Sequence, residues 1–200
     1  MSIQFDIAKQ IIAETCPNRK LKLENIRLFA DIIQPKKYQK GDIILNDGDI
    51  CNCLFYIEKG FIRQHYLKHD KDVIEHLACE KDVVWCIESY FNREPTHLMM
   101  DAVENSVLWE IPRDIMEELS DANGDIAYLY RRFFENSLML SQLKADILRF
   151  ESANDRYARL QQHFPEITRR APLTMIASYL QMTLETLSRV RASIAKAESK

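Results

Sequence analysis

A chain of 200 residues with 46% hydrophobic content is long enough for one large or two small cores. It has no apolar run of about eighteen residues and no basic-then-apolar amino terminus, so a membrane partner is excluded and a soluble, cytoplasmic protein is predicted. The net charge of −3 is unevenly spread: residues 1–150 hold 19 Lys and Arg against 25 Asp and Glu, and residues 151–200 hold 8 against 5.

Residues 2–34 read as helical. Ile3, Ile7 and Ile11, then Ile26, Phe29 and Ile33, recur at helical intervals around a break at Cys16-Pro17-Asn18. Residues 36–111 read as short strands with Gly and Asp turns. Tyr38-Gln39-Lys40-Gly41-Asp42-Ile43-Ile44-Leu45 runs into Asn46-Asp47-Gly48-Asp49, and Leu54-Phe55-Tyr56-Ile57 leads through Glu58-Lys59-Gly60 to Phe61-Ile62-Arg63-Gln64-His65-Tyr66. This spacing predicts an antiparallel roll or barrel. From Asp125 to about Glu151 the period becomes helical, and Leu129, Phe133, Leu140, Leu143 and Ile147 belong to more apolar surface than one small barrel needs.

Near the carboxyl end Pro172 suits a helix start, and Leu173 to Leu180 follows at helical spacing. Gln181-Met182-Thr183 reads as a turn, with Thr183 capping a second helix that runs to about Lys196. One face of that helix carries Leu187, Val190 and Ile194; the other carries Glu185, Thr186, Ser188, Arg189 and Arg191. A recognition helix needs this division, with an apolar stripe to dock and polar groups for base edges and phosphates. Periodicity alone fits an ordinary helical hairpin equally well.

Enzyme chemistry is not indicated: the chain has four glycines and no Gly-rich phosphate loop, His-Glu-x-x-His or Gly-x-Ser-x-Gly. Cys16, Cys51, Cys53, Cys79 and Cys86 form no CxxC pair, so neither a disulfide framework nor a metal or cluster site is suggested. Buried, inert thiols are the main reading and a redox switch, with Cys51-Asn52-Cys53 in view, the lesser one. No cofactor is predicted.

The runs Ile176-Ala177-Ser178-Tyr179-Leu180 and Thr183-Leu184-Glu185-Thr186-Leu187-Ser188-Arg189 resemble the C-terminal winged helix of the Crp/Fnr family of bacterial regulators. Ala153-Asn154-Asp155-Arg156-Tyr157-Ala158-Arg159-Leu160 and His163-Phe164-Pro165-Glu166 extend the likeness upstream. Lys40-Gly41-Asp42, Gly48-Asp49 and Tyr56-Ile57 followed by Gly60 are similar to that family's cyclic-nucleotide-binding jelly roll. The resemblance implies an α+β chain in three parts: a jelly-roll sensor domain with N-terminal helices over 1–124, a dimerisation helix over 125–151 and a winged helix-turn-helix over 152–200.

The function so implied is a homodimeric transcription regulator that binds double-stranded DNA at a palindromic operator. Glu185 would accept from a cytosine amine and Arg189 would contact guanine or phosphate. Thr183, Thr186 and Ser188 would hold the backbone or read neighbouring edges, and Arg191 would reach a phosphate. Leu129, Phe133, Leu140, Leu143 and Ile147 would line the dimer helix. Two positions depart from the pattern: Gln181 stands where a Gly is common, and Leu184 where an Arg often precedes the Glu.

In cyclic-nucleotide binders of the family a Gly-Glu pair and an Arg hold ribose and phosphate. With Pro95 and Ala102 aligned, those positions here are Cys86-Ile87 and Thr96, and Glu88 brings a carboxylate without its cation. The sequence therefore predicts no response to cyclic AMP. RNA polymerase and an unidentified small-molecule effector are left open as partners. The alternative reading is a protein-interaction or small-ligand sensor module that has lost sequence-specific DNA binding.

Overall fold

The computed structural model describes residues 2–69 and 71–198. Its elements are α1 (Ile3–Thr15), α2 (Leu23–Ile32), β1 (Gln34–Tyr38), β2 (Ile43–Leu45), β3 (Cys53–Lys59), β4 (Ile62–Lys68), β5 (Lys71–Ala78), β6 (Val83–Val84) and α3 (Ile87–Asn92). There follow β7 (Met99–Ala102), β8 (Ser106–Pro112), α4 (Arg113–Ala122), α5 (Gly124–Phe150), α6 (Ala153–His163), α7 (Pro165–Arg170), α8 (Leu173–Tyr179) and α9 (Leu184–Glu198). Contacts gather these into two units, Met1–Ile62 with Ala78–Met139, and Arg63–Leu77 with Leu140–Lys200.

In the first unit, Ser2 Oγ accepts from the Phe5 amide (3.4 Å) and starts α1, which buries Ile7, Ala8 and Ile11. The helix closes at Cys16, whose amide donates to the Ile12 carbonyl, just ahead of Pro17. One antiparallel sheet has the order β1-β8-β3-β6, and β2 pairs with β7. Strand β3 lies between β8 and β6, and Leu54, Phe55, Tyr56 and Ile57 are all buried rather than alternating. Both faces of that strand are therefore covered, and they share one core with Ile11, Phe29 and Met116.

A polar network joins the N-terminal helices to the start of α5. Asn123 Oδ1 accepts from the amides of Asp125 (3.0 Å) and Ile126 (3.2 Å), and its Nδ2 donates to Asn25 Oδ1 (2.7 Å). Asp125 in turn accepts from Asn25 Nδ2 (2.8 Å), the Lys22 amide (3.2 Å) and Arg19 Nη2 (2.8 Å). The Asn25 hydrogen bond, followed by the Lys22 amide, holds the Asp125 carboxyl below its ordinary range.

The second unit combines a hairpin with helices. β4 and β5 are hydrogen-bonded neighbours, and the Ile74 amide donates to Ser178 Oγ on α8 (2.9 Å). Lys144 on α5 donates to the Glu75 carbonyl and to its carboxylate (3.1 Å). His76, half-buried on β5, is pushed down to about 4 by burial, with the Lys144 charge adding. The unfolded chain takes up this proton near pH 6.5 and the folded chain only near pH 4. Stability of this unit should therefore fall as pH drops through that window, and His76→Gln should flatten the fall in urea titrations.

Several expectations need correcting. Tyr38–Leu45, predicted as one strand, is two, because Gly41 (φ 90°) turns the chain between β1 and β2. Helices α4 and α7 carried no recognised signal. The region 36–111 also contains α3, too short to show a period of its own. Residues 153–198 form α6 to α9, with no strand among them. Residues 199 and 200 of the predicted C-terminal domain lie outside the described residues. No helix among the described residues is long and apolar enough to cross a membrane.

Candidate nucleic-acid interface and sensor pocket

Helices α8 and α9 form the predicted helix-turn-helix, and the turn is built by backbone bonds. The Gln181 amide donates to the Ser178 carbonyl (3.0 Å) and the Met182 amide to the Ala177 carbonyl (2.9 Å). This paired closure needs a left-handed residue at its centre, and Gln181 supplies it at φ 52°. Arg156 on α6 secures the same corner, donating to the Leu180 carbonyl (2.8 Å). Gln181→Gly should stabilise this unit by about 1 kcal/mol, because a Cβ in that conformation is strained. Thermal or urea unfolding of the variant checks it, with unchanged or lower stability as the contrary result.

Thr183 caps α9, its Oγ1 accepting from the Thr186 amide (3.1 Å). Leu187 and Val190 are buried and Ile194 is partly so; α6 and α8 pack on this helix. Glu185, Ser188, Arg189 and Arg191 are exposed, and Thr186 is half-buried. Arg189 Nη2 donates to Thr186 Oγ1 (3.3 Å), which lies 3.1 Å from Thr183 Oγ1. Glu185 sits below the ordinary carboxylate range, held chiefly by its own amide and the Thr183 hydroxyl, with Arg189 adding. Acceptor and cation thus stand side by side on one open face.

Of the four expected effector positions, two are buried and two face solvent. Thr96 is buried: its amide donates to the Asp49 carbonyl (2.9 Å), its carbonyl accepts from Gly48 (2.7 Å), and its Oγ1 accepts from the Leu98 amide (2.9 Å). Cys86 is buried at the N-cap of α3, whereas Ile87 and Glu88 face solvent. Arg93 ends α3 at φ 60° and reaches outward to Glu117 (2.7 Å) and Asp114 (3.3 Å).

Sequence reasoning missed the buried cation of this region. Arg113, 4% exposed, donates to the Tyr90 carbonyl (2.7 Å) and Asn52 Oδ1 (2.9 Å). Tyr90 on α3 and Tyr130 on α5 meet hydroxyl to hydroxyl at 2.8 Å, both buried. Trp85 Nε1 donates to Ser137 Oγ (3.0 Å), and Phe134 lies among Trp85, Tyr90 and Phe91 with ring centroids 5.0–6.3 Å apart. Through Trp85 and Tyr90 this stretch is bonded directly to α5. The only available sequence hint was the density of aromatics.

The α5 residues named for dimerisation divide into two sets. Leu129 and Phe133 are buried in the core of their own chain, which removes them from any interface. Leu140 and Leu143 are exposed (44% and 41%), Ile147 is half-buried, and Leu138, Met139 and Phe150 are open as well. The apolar stripe rotates from the roll to solvent along the helix.

Residues 35–123 match the cyclic nucleotide-binding domain family. The chain is 30% identical over 173 residues to electron transport regulator A of Shewanella oneidensis, covering 80% of this chain and 68% of that protein. It is 27% identical over 192 residues to regulatory protein HlyX of Actinobacillus pleuropneumoniae, covering 90% and 79%. The fold superposes on FixK2 from Bradyrhizobium japonicum with a TM-score of 0.68 at 18% identity, covering 84% of this chain and 86% of that one. A cyclic-nucleotide-type roll followed by a helix-turn-helix defines a class of transcription regulator. The chain belongs to the Crp/Fnr family.

Proposed function

We propose that this regulator binds double-stranded DNA as a homodimer at a palindromic operator, and does so without cyclic AMP. The observation that carries the reading is α9, where a Thr183-capped helix presents Glu185, Ser188, Arg189 and Arg191 opposite buried Leu187 and Val190. Those groups match the needs of major-groove reading: an ionised acceptor for cytosine, a guanidinium for guanine or phosphate, and hydroxyls for the backbone. Leu184, 41% exposed at the first turn, adds apolar surface suited to a thymine methyl group. The exposed stripe from Leu138 to Leu143 supports pairing through α5, which would set the spacing of two recognition helices.

Independence from cyclic AMP is supported by the site of Thr96 and by the Tyr90–Tyr130 and Trp85–Ser137 bonds. A buried cyclic phosphate needs a fixed cation or a nest of amides. Arg113, the buried cation nearby, is already spent on the Tyr90 carbonyl and Asn52.

Dimerisation is tested with Leu140→Asp/Leu143→Asp. The native protein should sediment at twice the chain mass of 23.5 kDa. The double variant should dissociate at least roughly a thousandfold more readily, since each buried Leu contributes about 2 kcal/mol. Its operator affinity should fall with dimerisation. A native protein that stays at one chain mass while binding an operator tightly would remove the dimer from the reading.

A further inference from the structure

Two thiols meet inside the roll. Cys51, just before β3, is 0% exposed, and Cys86, at the N-cap of α3, is 2% exposed. The Cys86 amide lies 3.4 Å from Cys51 Sγ, so two side chains 35 positions apart occupy adjoining space. Their backbones are tied at the same point. The Cys51 amide donates to Ser89 Oγ on α3 (2.9 Å), and that hydroxyl donates to the Glu94 carbonyl (2.5 Å). The fold thus already holds the two residues next to one another, the first requirement of a bridge.

We propose that Cys51 and Cys86 are a peroxide-sensitive pair that closes a reversible disulfide within one chain. Cys51 differs from Cys53 and Cys16 in the ease with which it ionises. The Cys51 thiol is brought down to about 7, first by hydrogen bonding from Cys86, with burial opposing and the Arg113 charge assisting. Cys53 is pushed up to about 12 by burial, and burial raises Cys16 as well. Near neutral pH Cys51 therefore supplies the thiolate. Cys53, its sequence neighbour, does not.

The oxidant is a small hydroperoxide. The Cys51 thiolate attacks one peroxide oxygen, the O–O bond breaks, and the departing oxygen takes a proton, leaving a sulfenic acid on Cys51. Cys86 sulfur then attacks Cys51 sulfur; the S–O bond breaks, and hydroxide leaves as water with the Cys86 proton. Two thiols are oxidised by two electrons and one hydroperoxide is reduced; a small thiol reverses the change. The bridge would join the approach to β3 with α3, whose Tyr90 is bonded to Tyr130 of α5.

The test uses the purified protein, treated with hydrogen peroxide, quenched with catalase, then unfolded and alkylated for peptide mass mapping. The expected result is protection of two of the five thiols, a peptide joining Cys51 to Cys86, and return of both thiols with dithiothreitol. Cys53→Ser should leave the bridge unchanged. Cys86→Ser should stop Cys51 at the sulfenic acid, captured by dimedone. Five alkylated thiols, a bridge to another cysteine or another chain, or oxygen addition without a bridge would each overturn the assignment. The mapping on unaltered protein decides even if a variant fails to fold.

Discussion

Gly60→Ala is expected to lower the stability of the N-terminal unit by about 3–5 kcal/mol. Gly60 sits between β3 and β4 at φ 118°, a region closed to residues with a side chain. A Cβ there would stand 2.0 Å from Ser106 Oγ and 2.7 Å from Ser106 Cα. The hydroxyl is held by the Glu104 carbonyl (2.7 Å), and the Cα belongs to β8, paired with β1 at Tyr38. The hydroxyl can turn only by giving up that bond, and the Cα cannot move without breaking the sheet. The Gly60 amide also donates to Glu80 (2.8 Å), a bond that a shifted turn would lose. Urea denaturation followed by tryptophan fluorescence reads the loss. An unfolding free energy within about 0.5 kcal/mol of the unaltered protein, the usual scale of a surface change, would show that this approach is looser than described.

Arg189→Ala should weaken operator binding by roughly 1–3 kcal/mol, about five- to 150-fold, if its guanidinium meets a base. The side chain is exposed and already tethered to Thr186 Oγ1, so little ordering remains for the DNA to impose. Anisotropy titrations on two duplexes, one with the contacted base pair changed, divide the possibilities. A base contact makes the variant indifferent to that change. A phosphate contact instead weakens both duplexes equally and lowers the salt slope by about one. An unchanged affinity for both would remove Arg189 from the interface. Glu185→Ala should relax preference at one base pair, because an ionised acceptor is lost from the first turn.

The helix-turn-helix was readable because its signals are local. Pro172, Thr183 and the spacing of Leu187 and Val190 each act within one or two turns, and the structure shows them starting, capping and docking the helices. Gln181 was legible only as a departure. A left-handed corner without glycine is settled by the Arg156 and backbone bonds around it, not by its own propensity. The α5 face was harder. Apolar residues line much of that helix, so spacing did not separate Leu129 and Phe133, claimed by the roll, from Leu140 and Leu143, left in solvent.

The sensor region shows the same limit more sharply. That Cys86-Ile87 stand where the resemblance expects a Gly-Glu pair could be read directly. The buried cation of this region could not: Arg113 follows a plain Ile-Pro pair, and its partners Asn52 and Tyr90 are 61 and 23 positions away. The Tyr90–Tyr130 and Trp85–Ser137 bonds likewise join residues 40 and 52 positions apart. Such contacts are properties of the folded topology, and no local pattern announces them.

The central claim is that the unliganded chain is a dimeric reader of a symmetric DNA site. Selection of the purified protein on a random duplex library at moderate salt, followed by sequencing, tests it most directly. The account predicts enrichment of a palindrome whose half-sites are centred about 34 Å apart, one helical turn. Recovery of an unpaired half-site, or no enrichment from folded, dimeric protein in the absence of cyclic AMP, would contradict it.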